Sequence, residues 1–531
     1  MKKKYVLVVA LLAVALFLRG LHFQKIVIGF DQVQIFENVH AILMGDFTLI
    51  GPRTGPASMF TGPLIYYLSL PFIAVFGELK SLVFISLTIS LITGSIAYGL
   101  MQKYLGTPIA LIGLLLWSVS PLIVHLDRTV WNPSLSILAA SLLFFPLLSK
   151  KTAKIDFISL FVGAFLSYQA HFSGFLMVGS ALITIIVLQK SWRLYLPIVL
   201  GLLLSVLPTI VFDIRNNFLN LNGFLQLLSG NAENISSIST SNQFLHTLNS
   251  IFQFIGMFFF SIRQHFVYTV FGLLYLIFLI YSARKNKNLL PSIIWIVVVI
   301  MCYSFYKGEQ PEYYFLLLIP PIVSSAATFL SKMNTIPTML ILVSISAISI
   351  FTTLRASPFS ENLTIDVLSR IHTQLRNQKI KSITYDIAPG QDFGVRYILK
   401  NIPLTNDGEH IHITYPNEYS FEGMNHYGNV GVWIDPRIED KNYLTTHSYI
   451  LAYGKSFTLD TAYSDHYLLK KNAQLIGTLS VVKQPCTEKN FQQKESWISE
   501  QKNTFILDRV NHCLRFESTI VNPEIAELFL Y

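Results

Sequence analysis

Three carboxylates, Asp31, Glu37 and Asp46, fall within sixteen residues of one another, just after the chain's first apolar run from Tyr5 to about Phe23. A carboxylate at a membrane surface is partly desolvated, which suits it to take a proton from a hydroxyl or amine as a general base does. Taken as a helix from Asp31 to Met44 and stopped by Gly45, the stretch sorts its residues by face. Ile35, Phe36, Val39, Ile42 and Leu43 fall on one side; Asp31, Gln34 and Asn38 fall on another, with Glu37 beside them. Such a helix lies along a membrane surface with its apolar side down. The plainer reading of Glu37 is a solvated polar face. Asp31 differs because it starts the helix where the chain leaves the membrane.

Other reactive side chains collect at the ends of apolar runs. In "LDRTVWNPS", Arg128 can bind phosphate through two parallel N–H donors, and Trp131, Asn132 and Pro133 open the next run, proline suiting a helix start. An interfacial Trp with a snorkelling Arg is the plainer alternative. "SYQAHFSG" sets Gln169 and His171 at a boundary, "VFDIRNNF" sets Asp213 and Arg215, and "KGEQPEYYF" sets Lys307, Glu309, Glu312, Tyr313 and Tyr314. Their ordinary readings are a packed His, a local ion pair and interfacial tyrosines. His410 and His412 alternate onto one face of a strand, but two ligands without a third make no metal site. There is no Gly-rich phosphate loop, HExxH or CxxC, which argues against a cytosolic nucleotide site.

These residues depend on a membrane scaffold. Of 531 residues 52% are hydrophobic and 13% charged, far below the charge of soluble domains, and the mean hydropathy is +0.51. Apolar runs of crossing length recur near 5–22, 80–101, 107–125, 131–149, 155–171, 172–189, 193–212, 264–282, 289–306, 313–330 and 336–354, about eleven spans. The N-terminus, Met1 followed by three lysines, reads as an uncleaved anchor, because Arg19 and His22 interrupt the place of a cleavage site. Residues 62–77, interrupted by Pro71, and 244–262 are assigned to surface or re-entrant helices. The connections at Lys2–Lys4, Lys103, Lys150/Lys151/Lys154, Lys190/Arg193, Arg284/Lys285/Lys287 and Lys332 then share one side with almost no acid besides Asp156, the positive-inside pattern. A net charge of +9 distributed in such clusters speaks for membrane topology and against nucleic acid.

The opposite, outer side receives 23–79, the Asp127–Pro133 turn, His171, the long loop 213–263, 307–314 and everything after Arg355. Residues 1–355 form the membrane part. Residues 356–531 read as a small extracytoplasmic α/β domain: helix-like "NLTIDVLSRIHTQLRN" and "FGVRYILKN" alternate with strand-like "KSITYDI" and "HIHITY", and "SYILAYG" and "LIGTLSVVK" continue as strands. Cys302 lies in an apolar run; Cys486 and Cys513 could pair in an exported domain.

The order of these features resembles the lipid-linked-sugar glycosyltransferases of the GT-C fold, in the bacterial branch related to protein O-mannosyltransferases and aminoarabinose transferases. The resemblance runs over residues 1–355 and is carried by "FDQ" (Asp31, Gln32), "GDF" (Gly45, Asp46, Phe47), "TGPLIYYLSLPFIAVFG", "DRTVWNPS", "YQAHFSG", "FDIRNNF" and "PEYYFLLLIPP". It implies a polytopic helical enzyme moving a sugar from a polyprenyl-phosphate carrier to a glycan, lipid or protein acceptor. The transfer takes place on the outer face of the cytoplasmic membrane, where the multi-pass chain has its N-terminus inside.

The same resemblance makes Asp31 the base or acceptor-orienting acid, with Glu37 and Asp46 as further carboxylates. Arg53, Arg128, Arg215 and Lys307 become candidates for the carrier phosphate. Trp131, Asn132, His171, Tyr313 and Tyr314 line the same outer helix ends as candidate substrate contacts. Gln32 stands where relatives usually have a second acid, and Thr61-Gly62 where they often have a basic residue before a Pro-Pro pair. Relatives include metal-dependent and metal-independent enzymes, so a divalent metal fits the class, but no metal site or other cofactor is predicted. A flippase of lipid-linked glycans is the rival reading, and it would carry ionisable residues at mid-bilayer and broken helices. A third is a binding or sensory protein acting through residues 356–531.

Overall fold

A computed structural model of the chain describes residues 2–54, 59–149, 153–229, 240–260, 265–306, 310–355, 363–387, 391–405, 408–416 and 425–434, then the strands between 449 and 530. The chain divides into two compact units, Met1–Ile26 with Asp31–Ser357, and Val27–Phe30 with Pro358–Tyr531. The second unit thus takes in the four residues before Asp31 as well as the chain from Pro358.

The first unit is helical. Its helices are α1 (Lys2–Gly20), α2 (Phe30–Leu43), α3 (Leu64–Phe76), α4 (Glu78–Leu105), α5 (Thr107–Val119), α6 (Pro121–Arg128), α7 (Ser136–Phe144), α8 (Lys154–Ala170), α9 (Gly174–Val187), α10 (Tyr195–Arg215), α11 (Leu219–Ser229), α12 (Thr240–Phe259), α13 (His265–Lys285), α14 (Leu290–Tyr303), α15 (Ile319–Leu330) and α16 (Thr335–Arg355). A two-stranded hairpin, β1 (Arg53–Thr54) and β2 (Met59–Phe60), sits between α2 and α3.

Each of the eleven apolar stretches contains helix. Among the described residues five helices are long and apolar enough to cross a membrane: Glu78–Leu105, Trp192–Arg215, His265–Lys285, Glu312–Leu330 and Thr335–Leu354. The α5–α6 pair, bent by 60° where Ser120 and Pro121 interrupt it, makes a sixth if it is one broken span. The expected eleven therefore divide into long and short helices. Asn132–Leu148, Gly174–Val187 and Lys287–Tyr303 are apolar but shorter, α8 has 17 residues, and α1 includes three lysines and Arg19.

Large side chains fill the centre of this unit. Phe144 meets Trp295 edge-on at 5.5 Å, and the Trp295 indole N–H donates to the Leu317 carbonyl at 3.1 Å, so the ring is buried without an orphan donor. The apolar stretch 244–262 puts the C-terminal half of α12 into this core through Ile251, Phe254, Ile255, Phe258 and Phe259. It is a packed helix of the bundle.

One end of the bundle is basic. Lys103, at the end of α4, pairs with Asp156 at 2.5 Å, and Asp156 also accepts the Ala153 N–H at 2.8 Å, capping α8. Lys190 donates to the Ser149 carbonyl. The single acid of the expected basic face is thus a neutralised cap. Glu78 and His171, at the other ends of α4 and α8, lie on the opposite face.

In the second unit Thr364 caps α17 (Ile365–Arg376), which buries Val367, Leu368, Ile371 and Leu375. With α18 (Phe393–Leu399) it belongs to the part of the unit that holds a four-stranded sheet of order β3-β4-β6-β5, made of β3 (Ile380–Ile387), β4 (Glu409–Tyr415), β5 (Asn425–Tyr427) and β6 (Val430–Ile434). The β3–β4 pair is parallel. Val27 bridges Thr364, and Phe30 meets Phe393 at 4.8 Å.

The α/β expectation holds to residue 434. The later strands instead form a seven-stranded antiparallel sheet of order β11-β12-β10-β9-β8-β7-β13, from β7 (Tyr449–Ala452), β8 (Lys455–Tyr463), β9 (His466–Lys471), β10 (Gln474–Gln484), β11 (Thr504–Arg509), β12 (His512–Ser518) and β13 (Phe529–Leu530). Local alternation marks such strands, but their order is set by pairings distant in sequence. Cys486 and the Cys513 side chain lie outside the described residues.

Candidate active site

Asp31 occupies the first turn of α2, where the positive end of the helix favours a carboxylate. Gly45 ends the helix with φ 96°, a left-handed backbone open to glycine. Val33, Ile35, Phe36, Val39 and Ile42 are buried, Leu43 is exposed, and Gln32 is buried although polar. Asp31 itself is half-buried, and burial pushes its carboxyl up to about 6. The Tyr66 hydroxyl is close enough for the Asp31 charge to add to burial in raising its pKa. Among the described residues no donor bonds to the Asp31 carboxylate, so its lone pairs stay available for an incoming proton.

The neighbouring loop is fixed from several sides. Gln32 Nε2 donates to the Val130 carbonyl at 2.8 Å, tying the start of α2 to the chain between Arg128 and Trp131. Arg128 Nη2 donates to the Leu18 carbonyl at 2.5 Å, while its Nε is buried with no partner among the described residues. A guanidinium with a spare buried donor suits an anion. Asn132 Nδ2 donates to Thr61 Oγ1 at 3.3 Å, reaching the hairpin that carries Arg53. Gln169 Oε1 accepts the Leu64 N–H at 3.1 Å and its Nε2 donates to the Ser205 carbonyl at 3.0 Å, joining α3, α8 and α10.

In sequence Arg19 does no more than disfavour cleavage. Its Nε donates to Asp127 at 2.7 Å, and its other nitrogens donate to the Ala15, Ser118 and Trp117 carbonyls, with the guanidinium 4.1 Å from the Trp117 ring centre. Asp127 also accepts from Ser90 Oγ at 3.2 Å. This buried pair locks α1 to α6 beside Arg128. An arginine inside an apolar run was the available signal for it, since such a residue needs a partner.

An aromatic group gathers around His171. Its ring lies 5.5 Å from Tyr313 and 4.9 Å from Tyr314, and Trp131 meets Tyr313 at 4.5 Å with the rings tilted by 60°. The Ser173 backbone N–H donates to His171 Nδ1 at 3.1 Å, which places the imidazole proton on Nε2. With Nδ1 accepting, the Nε2–H is the ring's donor.

The sequence-derived candidates therefore separate. Trp131, His171, Tyr313 and Tyr314 come together. Arg128 and Asn132 flank Trp131 in one loop, and Gln32 joins that loop to Asp31. Glu37 and Asp46 are exposed and enter none of these groups. Arg53 is exposed on β1, and Arg215 is exposed at the end of α10. Asp213 makes no ion pair with Arg215; it accepts the Asn220 and Leu221 N–H groups at 2.8 and 3.0 Å and caps α11. Lys307 and Glu309 lie outside the described residues. Ser382 and Thr384 hydroxyls bond His410 and His412 Nδ1 at 2.6 and 2.7 Å. Among the described residues no three His, Cys, Asp or Glu side chains are grouped to hold a metal.

No known family matches the sequence, and no curated protein does. Solved structures share its fold. ArnT from Cupriavidus metallidurans in the apo state superimposes with a TM-score of 0.54 at 12% identity, over 81% of this chain and 97% of ArnT. The same protein bound to undecaprenyl phosphate gives 0.51, with the same identity and coverage. The archaeal oligosaccharyltransferase AglB from Archaeoglobus fulgidus, in complex with an inhibitory peptide and a dolichol-phosphate, gives 0.45 at 12% identity over 76% of this chain and 64% of its own. The fold of this chain is that of ArnT, the GT-C fold.

Proposed function

We propose that this chain is a membrane glycosyltransferase that moves a sugar from a polyprenyl-phosphate carrier to an acceptor hydroxyl or amine on the outer face of the cytoplasmic membrane. In this reading the eleven apolar stretches are spans, the Lys103–Asp156 end faces the cytoplasm, and the second unit is extracytoplasmic. The observation that carries the function is Asp31: a half-buried carboxylate with a raised pKa, tied through Gln32 to the loop of Arg128 and Trp131. The undecaprenyl phosphate in the ArnT structure of the same fold supports the carrier class.

In the reaction Asp31 takes the acceptor's proton as the acceptor oxygen or nitrogen bonds to the anomeric carbon. The bond from that carbon to the phosphate oxygen breaks and its electron pair stays on the phosphate. Arg128 neutralises the charge that develops there, and a single displacement of this kind inverts the anomeric centre. His171, with its Nε2–H as donor, suits a sugar hydroxyl; Trp131, Tyr313 and Tyr314 offer aromatic faces for a sugar ring or the first isoprene units. Arg53, Arg215 and Lys307 are further cations for the carrier.

The test is Asp31→Asn in membranes supplied with a panel of polyprenyl-phosphate sugars. Release of polyprenyl phosphate should fall by about 10²-fold or more, with normal membrane insertion; parental turnover in the variant rejects Asp31 as the base. The 60° break at Ser120 and the buried Arg19–Asp127 pair keep a flippase as the second reading. A flippase moves lipid-linked sugar across proteoliposomes without releasing the carrier phosphate, so measuring both products separates the two.

A further inference from the structure

We infer that Gln32 is a positioning residue for Asp31, holding the base against the Val130 segment through a donor that an acid at this place would not supply. The inference rests on the reading of Asp31 as the base. Gln32 is 3% exposed and spends its side-chain N–H on the Val130 carbonyl at 2.8 Å. That carbonyl belongs to a segment already anchored on both sides. Arg19 holds Asp127, Arg128 bonds Leu18, Ser134 Oγ donates to the Thr129 carbonyl at 3.1 Å, and Asn132 bonds Thr61. At its other end α2 is pinned by His40 against Glu78 at 2.7 Å. Gln32 is thus the pin adjacent to Asp31 and faces an immobile acceptor. A carboxylate there would set acceptor against acceptor, so this bond needs a hydrogen-bond donor at position 32. The alignment of Asp31 with the Arg128–Trp131 loop, on which proton transfer depends steeply, is supported by this bond.

The experiment reads Asp31 directly. Carbodiimide labelling of Asp31 against pH, followed by peptide mass spectrometry on the full-length protein in nanodiscs, gives its titration midpoint without any substrate. The charged and titratable groups around this junction include Asp31 on α2, Tyr66 on α3, Arg19 on α1, His125, Asp127 and Arg128 on α6, and Glu312, which acts on His125. Parent protein should give a midpoint near 6. Gln32→Met removes the donor with little change in volume; it should free the helix end to take up water and lower the midpoint by about one pH unit or more. Gln32→Leu, checked for the same melting transition, serves as the second variant. In turnover both should lower kcat by about 10- to 100-fold while the carrier KM stays within about twofold. Coincident midpoints in the parent and in both folded variants overturn the role of Gln32. Activity surviving in Asp31→Asn, with the midpoint shift still present, instead overturns the functional reading alone.

Discussion

Arg19 and Asp127, 108 residues apart in sequence, form an ion pair of 2.7 Å in which the guanidinium is fully buried. Removing one member of such a pair leaves an uncompensated charge, typically a loss of about 3–5 kcal/mol. Arg19→Met should lower thermal stability of the purified protein by that order. Asp127→Asn should be milder, since three carbonyls and the Trp117 face still surround the cation. The double variant Arg19→Met/Asp127→Asn should recover part of the loss of Arg19→Met; additive losses would show that the two residues are not coupled.

With Asp31 as the proposed base, activity and stability should depend on pH with opposite signs. A base must be ionised, so turnover should climb about tenfold per pH unit below 6 and level off above it. Its folded pKa lies above the ordinary 3.8, so the folded state holds the proton more tightly and this contribution to stability is lost as pH rises from about 4 to 6. Above that window ionised Asp31 costs the fold about 3 kcal/mol. Asp31→Asn should therefore be inactive yet melt higher than the parent at pH 7.5, with the difference vanishing near pH 4. Equal melting temperatures at pH 7.5 would mean that Asp31 is well solvated.

Periodicity located α2, α17, α18, β3 and β4 close to their observed limits because each pattern is local. The same periodicity placed Asp31 apart from the apolar face. It could not show that Gln32 bonds to Val130, 98 residues away, or that Arg19 pairs with Asp127, because partner choice is set by packing. In sequence Asp31 stands apart from Glu37 and Asp46 by its place at the helix start, where the chain leaves the membrane. The structure adds that Asp31 is half-buried while Glu37 and Asp46 are exposed, a difference that depends on what covers the helix.

Gly62 leaves room for Gln169. A Cβ at this position would stand 2.1 Å from Gln169 Oε1, and Gln169 is held by Leu64 and Ser205. Gly62→Ala should destabilise by about 1–3 kcal/mol, the usual range for overpacking. Gly62→Ala/Gln169→Ala should be closer to Gln169→Ala alone than additivity allows, measured by thermal unfolding.

Arg128 has a buried Nε donor with no partner among the described residues, and the proposed function assigns that donor to the carrier phosphate. Arg128→Ala removes charge and fork together, whereas Arg128→Lys keeps the charge but cannot present two parallel donors. With Arg128 on the phosphate, apparent affinity for undecaprenyl phosphate should fall about tenfold in Arg128→Lys and further in Arg128→Ala, as a charge-assisted contact is worth about 1.5–3 kcal/mol. The Leu18 contact is lost in both, so melting temperatures must be compared alongside. A structural role alone predicts lowered melting with unchanged affinity in the surviving folded protein. Loss of affinity that grows as the second donor and then the charge disappear identifies the phosphate contact, and an Arg128→Ala affinity equal to the parent's assigns the phosphate to other cations of the outer face.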